Sequence, residues 1–129
     1  MKLIIGGYAQ GRLPYVLRRY NLRREDVFDL AKQPISAWAG QPVLYHVEEL
    51  VTQAMETQEN WAKWVTDPKW QHCIFITQEV GCGLVPVSAE ERQWREAIGR
   101  MNIMLATQAE TVERIFCGLS MQIGGVGCL

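Results

Sequence analysis

The sequence predicts a three-layer α/β domain built on a mostly parallel sheet, and three observations lead there. Short apolar runs alternate with helical periodicities along the chain, the pattern from which strand–helix–strand units assemble. The clearest run, His72-Cys73-Ile74-Phe75-Ile76-Thr77, is apolar without interruption by charge, as expected of a strand covered by helices on both faces. Ser88 and Glu91 form a capping-box pattern ahead of Trp94, Ile98, Met101 and Leu105, which recur at i, i+4, i+7 and i+11. With 129 residues, 48% hydrophobic and 21% charged, the chain suffices for one core, so residues 1–129 are read as one domain.

The elements follow in order. Lys2-Leu3-Ile4-Ile5 is an apolar, β-branched run ending at Gly6-Gly7, a buried strand that stops where the backbone turns. Residues 14–20 place Val16, Leu17 and Tyr20 at helical spacing, with Pro14 in the first turn, where no backbone donor is needed. Residues 25–30 form a strand candidate, and residues 33–41, with Pro34 and Gly40, read as irregular. Residues 42–46 give another buried strand. Val47, Leu50, Val51, Ala54, Trp61, Trp64 and Val65 then recur at three and four residue intervals, predicting one helix over 47–65, stopped by Asp67-Pro68. After the strand at 72–77 comes a loop at 78–86, the capped helix, and a last strand over 111–117. Gly118, Gly124, Gly125 and Gly127 point to weaker order beyond, with a flexible tail from about residue 124. Ligands of parallel sheets collect at the carboxyl ends of the strands, where the 6–11 glycines, His46 and the 78–86 loop all fall.

Charge and composition exclude several functions. Thirteen Lys and Arg against fourteen Asp and Glu give a net charge of -1, so no positive field exists to hold a nucleic-acid backbone. No apolar run reaches the roughly 20 residues needed to cross a bilayer, and the N-terminus meets glycines before forming a signal-peptide core; a soluble, cytoplasmic protein is expected. Four cysteines without Cys-x-x-Cys spacing are expected as free thiols, and His46 and His72 belong to no zinc-like cluster, so no metal site is assigned.

One segment carries chemistry. Gly6-Gly7-Tyr8-Ala9-Gln10-Gly11-Arg12-Leu13 has the length and position of a G-x-x-x-x-G-K-[ST] phosphate loop between a strand and a helix. In such a loop backbone N–H groups wrap the phosphates, the lysine reaches the β and γ phosphates, and the hydroxyl holds Mg²⁺. Here the lysine position is Arg12, which keeps the charge on a wider planar group, and the hydroxyl position is Leu13, which removes the metal ligand. Cys82 lies between two glycines without an adjacent histidine base, and Trp61, Trp64 and Trp94 sit at core spacing.

The C-terminal half sharpens the reading. The segment from Phe75-Ile76-Thr77-Gln78-Glu79-Val80-Gly81-Cys82-Gly83-Leu84-Val85-Pro86, then Gly99-Arg100-Met101-Asn102 and Leu105-Ala106, resembles the adenosylcobinamide kinase/adenosylcobinamide-phosphate guanylyltransferase family of cobalamin biosynthesis. Its hallmarks are a T-N-E-V-G-x-G-I-V-P segment and a G-R-x-N-x-x-L-A helix, matched here in order and nearly in spacing. The resemblance implies a P-loop NTPase-like (RecA-like) fold, GTP or ATP as the nucleotide, a corrinoid alcohol as the acceptor, and a ring-like homotrimer. It implies phosphorylation of the acceptor hydroxyl and GMP transfer through a covalent histidine. It also implies a site role for Glu79, orienting Mg²⁺ or a substrate hydroxyl, and a phosphate- or core-anchoring role for Arg100.

Two departures bear on catalysis. The His-His stretch that carries the guanylylated histidine has no counterpart between Asp26 and Pro42, and His46 stands where the family's strand ends in an acidic residue. An imidazole is a poor replacement for a carboxylate at Mg²⁺, though His46 remains a candidate nucleophile, and Glu48 and Glu49 follow in the next turn. Two readings therefore stay open: a short, divergent kinase or nucleotidyltransferase, and a non-catalytic nucleotide- or corrinoid-binding subunit.

Overall fold

A computed structural model describes residues 1–7, 10–79 and 88–124. The elements run β1 (Lys2–Gly6), α1 (Arg12–Arg19), β2 (Val27–Asp29), β3 (Val43–Tyr45), α2 (Glu49–Thr57), α3 (Trp61–Val65), β4 (Ile74–Gln78), α4 (Ala89–Gln108), β5 (Thr111–Phe116) and β6 (Leu119–Gly124). Within the described residues they form one sheet in the order β2-β3-β4-β1-β5-β6. The first five strands are parallel, and only β6 is antiparallel, folded back on β5. The α/β class and the mostly parallel sheet expected from the sequence are what the chain forms, consistent with a P-loop NTPase-like fold.

Strand alternation divides the core into two layers. Leu3, Phe28, Leu44 and Phe75 face one side, where they pack with Leu50 and Val51 of α2 and with Ile98, Met101 and Leu105 of α4. Ile4, Val43, Ile74, Ile76 and Ile115 face the other and are covered by Leu13 and Val16 of α1. Neighbouring residues of β1, Leu3 and Ile4, are both fully buried, which is why these strands read as continuous apolar runs. A hydrogen-bonded group further pins α1: Glu113 of β5 accepts from the hydroxyls of Tyr15, Tyr20 (3.3 Å) and Ser120 (2.6 Å). Burial pushes the Glu113 carboxyl up, but these donors and the Arg19 charge outweigh it and hold it below the usual range. Burial and the facing carboxylate push the Tyr20 phenol up to about 12.

The helix expected over 47–65 is two helices. Gln58 takes a left-handed backbone (φ 57), the Glu59 N–H returns to the Ala54 carbonyl at 2.9 Å, and Asn60 caps α3 by accepting from the Ala62 N–H at 3.0 Å. A local stop and restart overrides the periodicity, because the capping groups satisfy the freed backbone. The strand candidate at 25–30 shrinks to Val27–Asp29, because residues 24–26 make a 3₁₀ turn in which Asp26 accepts from the Arg23 N–H at 2.8 Å. Order also continues past Gly118 as β6, which exposes Leu119, Met121 and Ile123 on an edge strand. Cys73 and Cys117 are free thiols, while Tyr8, Ala9, Cys82, the rest of the 80–87 loop and the tail beyond Gly124 lie outside the described residues. No described helix is long and apolar enough to cross a membrane.

Candidate functional site

β1 leads to α1 on one face of the sheet, whereas the neighbouring β4 leads to α4 on the other. Adjacent parallel strands whose connections leave toward opposite faces open a crevice at their carboxyl ends, the usual ligand position in open α/β sheets. Gly6 and Glu79 meet there, the Glu79 N–H donating to the Gly6 carbonyl at 2.8 Å. Gly6 admits no other residue, since a Cβ would lie 2.7 Å from the Ile115 carbonyl oxygen and against the Arg12 stem. Gly11 enters α1 with φ 80. Between them, Gln10 ties the loop to the β5–β6 turn: its Oε1 accepts from the Cys117 N–H at 2.7 Å and its carbonyl from the Gly118 N–H at 2.9 Å.

Arg12 is the cation of this crevice. Its side chain runs over Gly6 and is only 6% exposed, yet Nη1 is buried with no hydrogen-bond partner among the described residues. A guanidinium, always protonated, is costly to bury with a donor unmet. Glu48 faces the same crevice from the turn after β3. Only 3% exposed, it accepts from the Gln78 N–H at 3.1 Å. Burial pushes the Glu48 carboxyl up, opposed only in part by backbone N–H donors and by the charge of Arg12. Glu48, not the strand-end His46, is thus the carboxylate that bends back to the edge of β4. Leu13, at 8% exposure, points the other way into the apolar layer beneath α1.

The remaining sequence-selected residues separate. Glu79 pairs with Arg114 of β5 at 3.1 Å, across the strand between them. Arg100 is exposed on α4, beside Glu96 one turn back. Two positions further, Asn102 makes the internal contacts: its Oδ1 accepts from the buried Thr77 hydroxyl at 2.9 Å, and its Nδ2 donates to the Gln78 carbonyl at 3.1 Å. The Arg-x-Asn signature therefore anchors the end of β4 through the asparagine. His46 lies at the carboxyl end of β3 with its Nδ1 2.7 Å from Asp29 Oδ1, a partner that sequence spacing did not reveal. Asp29 is the register partner of Tyr45 on the neighbouring strand, so only the strand pairing brings it beside His46.

The cobinamide kinase / cobinamide phosphate guanyltransferase family model matches residues 31–123. The chain belongs to that family. Among curated proteins it is similar to the bifunctional adenosylcobalamin biosynthesis protein CobU of Escherichia coli (strain K12), 38% identical over 50 residues. That stretch is 39% of this chain and 28% of the relative, so the likeness spans little more than a quarter of the relative's length. The family match starts after the Gly6 to Leu13 loop, so the loop's role rests on its own geometry.

The phosphoryl chemistry in the family's description invites a test for Mg²⁺, a hard cation that takes oxygen ligands in octahedral geometry. At the loop's hydroxyl position Leu13 offers none, and it is anchored in the core. Glu48 already spends Oε1 on the Gln78 N–H, and no described cluster of three His, Cys, Asp or Glu converges. Among the described residues, the donors at this loop do not make a protein-held Mg²⁺ site.

Proposed function

We propose that the chain binds the polyphosphate of a nucleoside triphosphate, GTP or ATP, in the crevice between β1 and β4, as a short member of the cobinamide kinase family. One observation carries the reading: at the start of α1 the Arg12 stem packs over Gly6 and its buried guanidinium has a donor unmet among the described residues. A phosphate oxygen would supply the missing acceptor, and the amino end of α1 adds its own donors and dipole. Gly11, Arg12 and the backbone of Gly7 and Gln10 form the described part of the cradle. The reaction that fits the family is phosphoryl transfer to the hydroxyl of a corrinoid. Guanylyl transfer through the family's His-His stretch is not part of this proposal, because the chain lacks that segment.

A second reading has its own support. Leu13 in the core removes a metal ligand that phosphoryl transfer ordinarily uses, which suits a nucleotide-binding subunit without catalysis. Calorimetry with GTP and with ATP, each with and without Mg²⁺, tests the shared claim. Binding largely independent of the metal is expected. No heat with either nucleotide removes the nucleotide reading, and a strong requirement for Mg²⁺ would show that another residue replaces the lost hydroxyl.

A further inference from the structure

We infer that His46 is a catalytic base toward the acceptor hydroxyl and that Asp29 is its positioning residue. This rests on the nucleotide reading above, and the experiment below separates the two. Asp29 ends β2 and His46 follows β3, so parallel pairing sets both on the carboxyl edge. The Asp29 carboxylate is itself held, its Oδ1 accepting from the Ala31 N–H at 2.9 Å and lying 2.7 Å from His46 Nδ1. A proton on Nδ1, donated to that oxygen, leaves the lone pair on Nε2.

The backbone supports the same orientation. His46 has φ 57, a left-handed conformation that L-residues seldom adopt. That turn stacks the imidazole on Tyr45, ring centres 3.8 Å apart and 26° between planes. Two contacts fix the ring, while its side chain stays 30% exposed and Nε2 has no hydrogen-bond partner among the described residues. A histidine serving only to close a strand would have no need of a half-buried carboxylate behind it and an open nitrogen in front.

Position completes the case. β3 stands two strands from β1, about 10 Å at the usual ~4.8 Å spacing, on the side away from β5. Glu48, two residues beyond His46, reaches back to the Gln78 N–H at 3.1 Å, so the carboxyl end of β3 adjoins the end of β4. With triphosphate over β1, an acceptor lying over β4 and β3 brings its hydroxyl to His46. Nε2 takes the hydroxyl proton as the oxygen bonds to the γ-phosphorus. The bond from that phosphorus to the β-phosphate oxygen breaks, and the nucleoside diphosphate leaves with the electron pair. Asp29 stabilises the imidazolium until its proton passes to water.

The test uses the full chain, GTP or ATP, and cobinamide as the acceptor probe, following nucleoside diphosphate release. His46→Asn is the informative variant, because asparagine tolerates the left-handed turn and so keeps the fold. Its kcat should fall by about 10²–10⁴-fold, the usual worth of a general base. KM for cobinamide and nucleotide affinity by calorimetry should stay unchanged. Asp29→Asn keeps the hydrogen bond but not the charge, and should lower kcat at least about tenfold with the same unchanged KM. Equal turnover in His46→Asn overturns the inference. So does absent turnover in the unaltered protein while calorimetry still shows nucleotide binding, an outcome that leaves the nucleotide site standing. Protein-bound label from α-labelled GTP that vanishes in His46→Asn would make His46 a nucleophile rather than a base. Loss of nucleotide binding in the unaltered protein would fail the nucleotide reading and the base with it.

Discussion

Replacing Arg12 by Met sets two measurable effects against each other. Methionine keeps an apolar stem over Gly6 while removing the guanidinium, whose Nη1 is buried and unmet among the described residues. In the ligand-free protein, removing a buried unsatisfied donor recovers about 1–3 kcal/mol. Part of that is lost again, because Glu48 gives up an attractive charge and Met leaves some space unfilled. A net gain of about 1 kcal/mol remains, which at ~2.1 cal/mol/K per residue raises the melting temperature by about 3–4 °C in a chain of this size. Nucleotide binding should move the other way. A charge-assisted hydrogen bond is worth about 1.5–3 kcal/mol, so affinity should drop by about 10–150-fold. Thermal unfolding without ligand and calorimetry with GTP measure the two. Arg12→Lys should recover most of the affinity, since it restores the charge as a compact ammonium. A melting temperature that falls while affinity is unchanged would make Arg12 a structural counter-charge to Glu48 and refute the site.

Three further predictions concern residues around the candidate site and on α4. Glu48→Gln keeps an acceptor for the Gln78 N–H and removes a carboxyl that burial has pushed up. Because the folded group holds its proton to higher pH than the unfolded one, the native carboxyl weakens the fold as pH rises above about 4.5. The variant should thus match the unaltered protein at pH 4 and melt higher at pH 7 to 8; equal melting across that range, followed by circular dichroism, would contradict the assignment. Asn102→Ala strips partners from the Thr77 hydroxyl and the Gln78 carbonyl, and should cost about 2–3 kcal/mol in urea unfolding. Arg100→Ala, exposed beside Glu96, should change stability by less than about 0.5 kcal/mol in the same assay.

What the sequence disclosed depended on how far each feature is local. β1, β3 and β4 are buried on both faces, so each shows as a continuous apolar run, and α4 announces itself through the Ser88 side chain that accepts from the Glu91 N–H at 3.0 Å. The break between α2 and α3 hides inside an unbroken periodicity, because a left-handed Gln58 leaves no residue signature of the kind a glycine would. β6 did have a signal in Leu119-Ser120-Met121-Gln122-Ile123, a strict alternation masked by flanking glycines. The site was partly legible for a different reason. Gly6 and Arg12 belong to one short loop, whereas Asp29 meets His46 across 17 residues and Glu48 meets Gln78 across 30. Pairings set by strand order carry no spacing rule that a single sequence could display.

The changes at positions 12 and 13 have one physical origin. In a loop that uses a metal, the hydroxyl at the head of the helix faces the phosphates and the cation shares their charge. Here Leu13 instead packs with Ile4, Val16, Val43 and Ile115, so the first turn of α1 is held to the sheet by apolar contact. On the proposed reading, phosphate charge at the loop would fall to Arg12 among the described side chains, and a guanidinium answers that need better than an ammonium. It offers five donors in a rigid fork, keeps its charge when buried, and is less strongly hydrated, so sequestering it over Gly6 costs less. On the proposed nucleotide reading, Arg12 and Leu13 act together, with a protein cation standing where a shared metal would. The metal-independent binding expected of this chain follows from both residues together.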